Sequence, residues 1–227
     1  MEFHKGTLIA VDGGDNVGKA TQADLLMRRL IEEDIAVGKL DFPRYSQNTF
    51  GHVLQDCLKG DYGDFMGLHP KIASTLYAAD RFESKGQLEE WLEEERVVVL
   101  DRYVSANMLH QGAKFDDPDE REEFLKWLDH VEYEIFGMPR PDLTIYLEVP
   151  PEQSQKLLEY VVEIGADTAD IAEADTDHRK KVAACANYLS QSRDKWITIH
   201  CLDDSGTLRS REDIHEEVFA IVKDNMK

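Results

Sequence analysis

The sequence predicts an α/β protein with a parallel sheet of about five strands. Short apolar runs rich in β-branched residues recur along the chain, and near-continuous hydrophobicity of that kind suits strands buried on both faces. Each run is followed by a stretch with helical spacing, and strand-then-helix alternation implies right-handed crossovers between parallel strands. The composition permits the core this needs: of 227 residues, 42% are hydrophobic and 32% charged, the balance of a globular chain. With no internal repeat and no Pro/Ser-rich linker, a single domain over 1–227 is expected.

The strands are placed at Thr7 to Val11, Ala36 to Phe42, Val97 to Leu100, Leu143 to Leu147 and Trp196 to His200. Between the first two, Ala23, Leu26 and Leu30 form one apolar helical stripe. Ile72, Leu76 and Ala79 begin a long second helix continuing through Leu88, Trp91 and Leu92, with Pro70 in its first turn, where a missing N–H costs nothing. Further helices are expected at about 119–136, 151–162, 178–193 and 211–225. Within 163–177, Glu163, Asp167, Asp170, Glu173, Asp175 and Asp177 stand without a basic residue, the pattern of a solvated and mobile segment.

Lys and Arg number 26 against 46 Asp and Glu, a formal net charge of −20. So acidic a surface repels phosphate backbones and anionic head groups, which argues against a protein that coats nucleic acid or lies on a membrane. It leaves room for a small anionic ligand in a cleft where a few cations cluster. No run reaches the ~18 apolar residues of a membrane span and no cleavage site follows the first residues, so the cytoplasm is the expected location. Cys57, Cys185 and Cys201 are odd in number and widely spaced, and read as reduced structural thiols.

The first strand runs into Gly13-Gly14-Asp15-Asn16-Val17-Gly18-Lys19-Ala20-Thr21, after which helical spacing begins. This is G-x-x-x-x-G-K between a strand and a helix, the context a phosphate-binding loop requires. Its glycines allow a tight turn with inward N–H groups, the helix N-terminus adds partial positive charge, and Lys19 reaches the β- and γ-phosphates. The next residue is ordinarily Ser or Thr, whose hydroxyl ligates Mg²⁺, and here it is Ala20. Either water takes that coordination position or the Thr21 hydroxyl does; a degenerate loop that binds without turnover is the remaining reading. Two more arginines, Arg44 and Arg102, follow the ends of the second and third strands, the edge where open parallel sheets bind ligands. Tyr77 and Arg81, four apart on one helix, present a ring beside a bidentate donor, suited to a base and its carbonyl.

Taken together, DGGDNVGKATQ at 12–22, FPR at 42–44, YAADR at 77–81, DRYVSANMLHQG at 101–112 and PDLTIYLEVPPE at 141–152 resemble the thymidylate kinase family of nucleoside monophosphate kinases, in its order and spacing. The resemblance implies a five-stranded parallel sheet wrapped by helices, of P-loop nucleotide-kinase type, with a flexible lid at about 160–178. It implies phosphorylation of dTMP to dTDP by ATP with Mg²⁺, and a homodimer. Gly13 to Thr21 would hold the ATP phosphates, and Asp15 would contact the acceptor sugar. Phe42 and Arg44 would line the dTMP site, with Arg44 on the acceptor phosphate, while Arg102 bridges the phosphates and Asp101 supports the metal through water. Tyr77 would stack on thymine, Arg81 donate to its carbonyl, and Asn107 and Gln111 face the base from the next helix.

The chain departs from the family at several of these positions. Ala106 and His110 replace a serine and a tyrosine near the base, which leaves open a kinase for another monophosphate. The loop has Asn16 where some members carry a transition-state arginine, and 163–177 supplies none, so Lys156, Arg179, Lys180 and Lys181 are the candidate substitutes. Asp170 and Glu173 resemble lid residues that approach the acceptor sugar.

Overall fold

A computed structural model describes residues 6–163 and 176–226, with side chains from 158 to 163 and at 176 left aside. The element order is β1 (Thr7–Gly13), α1 (Lys19–Glu32), β2 (Val37–Asp41), α2 (Thr49–Lys59), α3 (Pro70–Glu83), α4 (Lys85–Glu93), β3 (Val97–Asp101), α5 (Val104–Gly112) and α6 (Pro118–Asp129). It continues through a π-helical turn at His130–Ile135 to β4 (Leu143–Glu148), α7 (Pro151–Glu163), α8 (Thr176–Ser192), β5 (Trp196–His200) and α9 (Arg211–Asn225). The strands form one parallel sheet in the order β2-β3-β1-β4-β5. All five expected strands form, displaced by no more than two residues at any end.

Alternate strand residues face opposite layers, as the pleat demands. Leu8, Ala10, Val98, Leu100 and Tyr146 pack with α5, α6 and α8 on one face, whereas Ile9, Val11, Val99, Ile145 and Leu147 pack with α1 and α9 on the other. The Ala23, Leu26 and Leu30 stripe is fully buried on the second face. A small third cluster of Leu54, Cys57, Phe65 and Ala73 joins α2 to α3 beside the sheet.

Three expectations need correction. The long second helix breaks at Ser84, which leaves helical geometry at φ −96° and ψ 1°; its hydroxyl accepts from Arg44 and Asn48. The face α3 turns inward is only partly the expected one: Leu76 packs against the Leu54 cluster and Ala79 is half-buried, but Ile72 is 55% exposed, and Ala73, Ser74, Ala78, Asp80 and Arg81 are the buried residues. Polar residues on the inner face defeat a hydrophobic-stripe reading. Helix α2 forms where the sequence predicts no element. Its signals are short, namely Asn48 before it, Leu54 and Cys57 three apart, and Gly60 closing it in the left-handed region at φ 89°.

Gly51 lets α2 sit against the loop after β2, because a methyl on it would overlap the Arg44 carbonyl oxygen. That oxygen cannot retreat easily, since it accepts from both Gln47 N and Asn48 N, at 3.2 and 3.1 Å. Gly51→Ala should therefore destabilise the fold by about 2 kcal/mol, read as a lower midpoint in urea at unchanged slope.

Candidate active site

At the carboxyl edge of β1, β2 and β3 lies a solvent-open cleft. Phe42, Pro43 and Tyr45 line it from the loop after β2, Tyr77 and Arg81 from α3, and Ala106, Asn107, His110 and Gln111 from α5. Asp15 and Arg102 close one end, and His178 of α8 reaches the same wall. The expected pairs Tyr77/Arg81 and Asn107/Gln111 thus face one space, as four-residue helical spacing requires.

The loop from Gly13 to Gly18 connects β1 to α1, with Asn16 and Gly18 in the left-handed region at φ 58° and 93°. Such alternation turns successive N–H groups to one side. No side chain caps α1 at Gly18, so its first-turn donors are left to a ligand or solvent. Val17 is buried, Ala20 exposed and Thr21 half-buried on the first turn, and neither Ala20 nor Thr21 lines the cleft. From α7, the Ser154 hydroxyl donates to the Asp15 carbonyl at 3.2 Å and holds the loop's middle.

Charge is concentrated behind the loop. Lys19 is buried and donates to the Gly14 carbonyl. Burial and then Arg102 depress its ammonium to about 8, against the pull of Asp15, Asp12 and Asp101. Asp12, wholly buried at the end of β1, accepts from Ser105 Oγ at 2.7 Å and from Gly13 N at 2.9 Å. Arg102 donates to Asp15 Oδ1 at 2.6 Å, and its other terminal nitrogen meets His110 Nε2 at 3.3 Å. A guanidinium is always a donor, so His110 accepts there as a neutral ring. Burial, together with the nearby cations, lowers its pKa to about 3. Burial would raise the Asp15 carboxyl, but Arg102 above all, with Lys19, outweighs it and holds it well below the usual carboxylate range.

Asp101 Oδ1 is buried without a hydrogen-bond partner, and burial raises its carboxyl against the field of Lys19 and Arg102. No group of three His, Cys, Asp or Glu is arranged to hold a metal among the described residues. A Mg²⁺ carried by nucleotide phosphates keeps several waters and needs only one or two carboxylates, so this donor set fits it.

Arg44 is not brought to the cleft wall. Its guanidinium donates to Ser84 Oγ at 3.2 Å and Gln87 Oε1 at 3.4 Å, and its backbone N–H to Asp80 Oδ2 at 3.0 Å. Spacing placed Arg44 at the correct strand end but could not give its rotamer. Asp80, the aspartate of YAADR, also accepts from Asn48 Nδ2 at 2.9 Å and so ties the loop after β2 to α3. Sequence reading missed Asp80 and Asn48, although a charged residue inside a cleft-lining helix was a signal.

At the opposite end, Tyr77 packs edge-on to Phe65, with ring centroids 5.9 Å apart. Phe42 is buried against Tyr103, and Asn107 donates to the Ser74 carbonyl at 3.2 Å. Gln111 Oε1 is buried with no hydrogen-bond partner. Arg81 is held by Glu132, a fully buried carboxylate of the π-helical turn that no motif signalled.

The lid expected at 160–178 falls mostly outside the described residues, Asp170 and Glu173 included. Of the cations proposed to replace a lid arginine, Arg179 alone is buried, lining a small second cavity with Gly14, Asp15 and Ser154. Lys156 and Lys180 are exposed, and Lys181 pairs with Asp116 at 2.7 Å. His178 stacks on His110, with centroids 5.9 Å apart. No helix among the described residues is long and apolar enough to cross a membrane.

A comparison with family models matches the one described as thymidylate kinase over residues 11–216. Among individual proteins, the thymidylate kinase of Mycobacterium tuberculosis is 30% identical over 145 residues, covering 64% of this chain and 67% of that one. The thymidylate kinase of Schizosaccharomyces pombe is 26% identical over 219 residues, covering 96% and 92%. The solved structure of thymidylate kinase from Candida albicans superposes with a TM-score of 0.70 at 21% identity, over 98% of this chain and 94% of that one.

Proposed function

The chain belongs to the thymidylate kinase family, and from that membership we propose that its cleft takes dTMP as acceptor and its glycine-rich loop takes ATP as donor. An oxygen of the dTMP phosphate attacks the γ-phosphorus of ATP, a P–O bond forms, the β–γ bridging P–O bond breaks, and dTDP and ADP leave. The acceptor oxygen is already anionic at neutral pH and needs no general base. Alignment and charge neutralisation are what the protein must supply.

One observation carries the choice of base: Arg81 and Gln111, whose Oε1 is buried without a partner, line the same cleft as the Tyr77 ring, a donor and an acceptor facing one space. Thymine offers a carbonyl beside an N–H, the complement of that pair, whereas cytosine offers an amino group beside a bare ring nitrogen. Asn107, on α5 with Gln111, lines the same cleft.

At the phosphate end Lys19 meets the transferred group, and Arg102, oriented by Asp15 and His110, spans donor and acceptor phosphates. The displacement of Arg44 toward Ser84 favours Arg102 over Arg44 for the acceptor phosphate. Mg²⁺, held through water by Asp101, would neutralise charge on the donor phosphates. The homodimer and the cytoplasmic location are part of the same reading, on family grounds.

Steady-state assays across nucleoside monophosphates test it. dTMP should exceed dCMP in kcat/KM by at least about 100-fold, the discrimination of a site that hydrogen-bonds its substrate. Equal or better turnover of dCMP would overturn the base assignment, and equal or better turnover of dGMP the choice of dTMP as substrate.

A further inference from the structure

Arg81 faces the cleft on one side and a buried carboxylate on the other. Glu132 is 0% exposed and Arg81 2%, and the two are joined through both edges that matter. Arg81 Nε donates to Glu132 Oε2 at 3.3 Å and Nη2 donates to Glu132 Oε1, while Nη1 donates to the Tyr103 carbonyl at 3.3 Å. These acceptors come from two separate segments, the π-helical turn and the loop after β3. Of the five N–H groups a guanidinium carries, three are thereby committed and two remain, one on each terminal nitrogen.

A buried carboxylate is a costly way to fill space, because desolvating two charges often outweighs their attraction, and an apolar pair of similar volume is commonly as stable. The pair therefore calls for a reason other than stability. The geometry supplies one: a planar fork fixed by a bidentate carboxylate and a carbonyl has lost its rotamer freedom before any ligand arrives. Its orientation is set by Glu132, a residue that does not itself line the cleft. Short π-helical stretches are frequent at functional sites, and this one carries the carboxylate.

We propose that Glu132 is the positioning residue for base selection, locking Arg81 as a charged donor so that the cleft takes a pyrimidine with a carbonyl at the facing edge and rejects one with an amino group there. The inference rests on the reading of the cleft as the dTMP site.

Calorimetric titration of dTMP and dCMP, with a nonhydrolysable ATP analogue as control ligand, tests it without requiring turnover. In Glu132→Gln a carboxamide N–H meets the guanidinium N–H groups, so one bond is kept and one repelled. The dTMP:dCMP affinity ratio should fall at least 10-fold while affinity for the analogue stays within twofold. The double variant Arg81→Met with Glu132→Leu removes both charges and should melt no lower than wild type, with its ratio within threefold of unity.

A Glu132→Gln ratio within twofold of wild type would sink the proposal, as would equal losses for dTMP, dCMP and the analogue. If Glu132→Gln does not fold, the double variant decides, and a folded double variant with wild-type selectivity refutes it. A wild-type protein that binds both monophosphates equally also refutes it. One that selects dTMP in binding yet fails to phosphorylate it refutes the proposed activity instead.

Discussion

Lys19→Met should abolish turnover by about three orders of magnitude while raising, not lowering, the melting temperature. The loss follows from removing a preorganised cation aimed at the developing charge, which costs 10²–10³ or more in comparable sites. The gain follows from the ammonium's surroundings. Burial depresses Lys19 to about 8 from 10.5 even with Asp15, Asp12 and Asp101 nearby. Between pH 8 and 10.5 the unfolded chain therefore binds the proton that the folded chain has lost, and stability from this group rises with pH across that window. Below pH 8 the charged side chain costs the fold on the order of 3 kcal/mol, which methionine does not. The same depression predicts an alkaline limb in kcat/KM for ATP with an apparent pKa near 8, since that parameter reports the free enzyme. A pH–rate profile from 6 to 9.5 checks this. Lys19→Arg, permanently charged, should remove the limb whatever its effect on rate.

What the sequence made legible divides along a physical line. The loop from Gly13 to Thr21, the strand-end Asp101-Arg102 and the paired faces Tyr77/Arg81 and Asn107/Gln111 are local patterns, and spacing of one to nine residues places their backbones correctly. All five strands were readable for the same reason. Side-chain direction was not. Arg44 sits where strand-end logic puts it, yet its guanidinium turns to Ser84 and Gln87, 40 and 43 residues away. Glu132 lies 51 residues from the arginine it orients, in a segment whose pattern reads as ordinary helix. Such contacts are decided by tertiary packing. The inward face of α3, with Asp80 and Arg81 buried, misled a hydrophobic reading because a binding cleft puts polar groups inside.

Replacing Arg102 should give the second large effect, and two substitutions separate its charge from its backbone. Arg102 adopts φ 64°, in the left-handed region, directly after β3, with its N–H donating to the Val11 carbonyl at 3.0 Å. A side chain with a Cβ is strained there by about 1–2 kcal/mol, and glycine is not. Both Arg102→Ala and Arg102→Gly delete the guanidinium that Asp15 and His110 hold in place. Both should therefore lose about 10³-fold in kcat, alike within a few-fold, because the bridging charge is absent from each. In stability they should differ. Either variant leaves Asp15 without its ion pair, at about 2 kcal/mol for a partly buried carboxylate, but Arg102→Gly recovers about 1 kcal/mol by relieving the backbone and so unfolds at higher urea than Arg102→Ala. In the wild type, Asp15 is held below its ordinary pKa, so its stabilisation is complete above pH 4 and fades as the solution is made more acidic. Without Arg102, burial acts with less opposition and the Asp15 carboxyl rises, so its stabilisation shrinks and, once the folded pKa passes the unfolded one, reverses, which makes the variants less stable at pH 7.5 than at pH 5. Urea titrations of the three proteins at pH 5 and pH 7.5 read both effects. Equal stabilities for the Ala and Gly variants would show that the left-handed turn stores no strain, and a kcat within tenfold of wild type would remove Arg102 from the phosphoryl transfer.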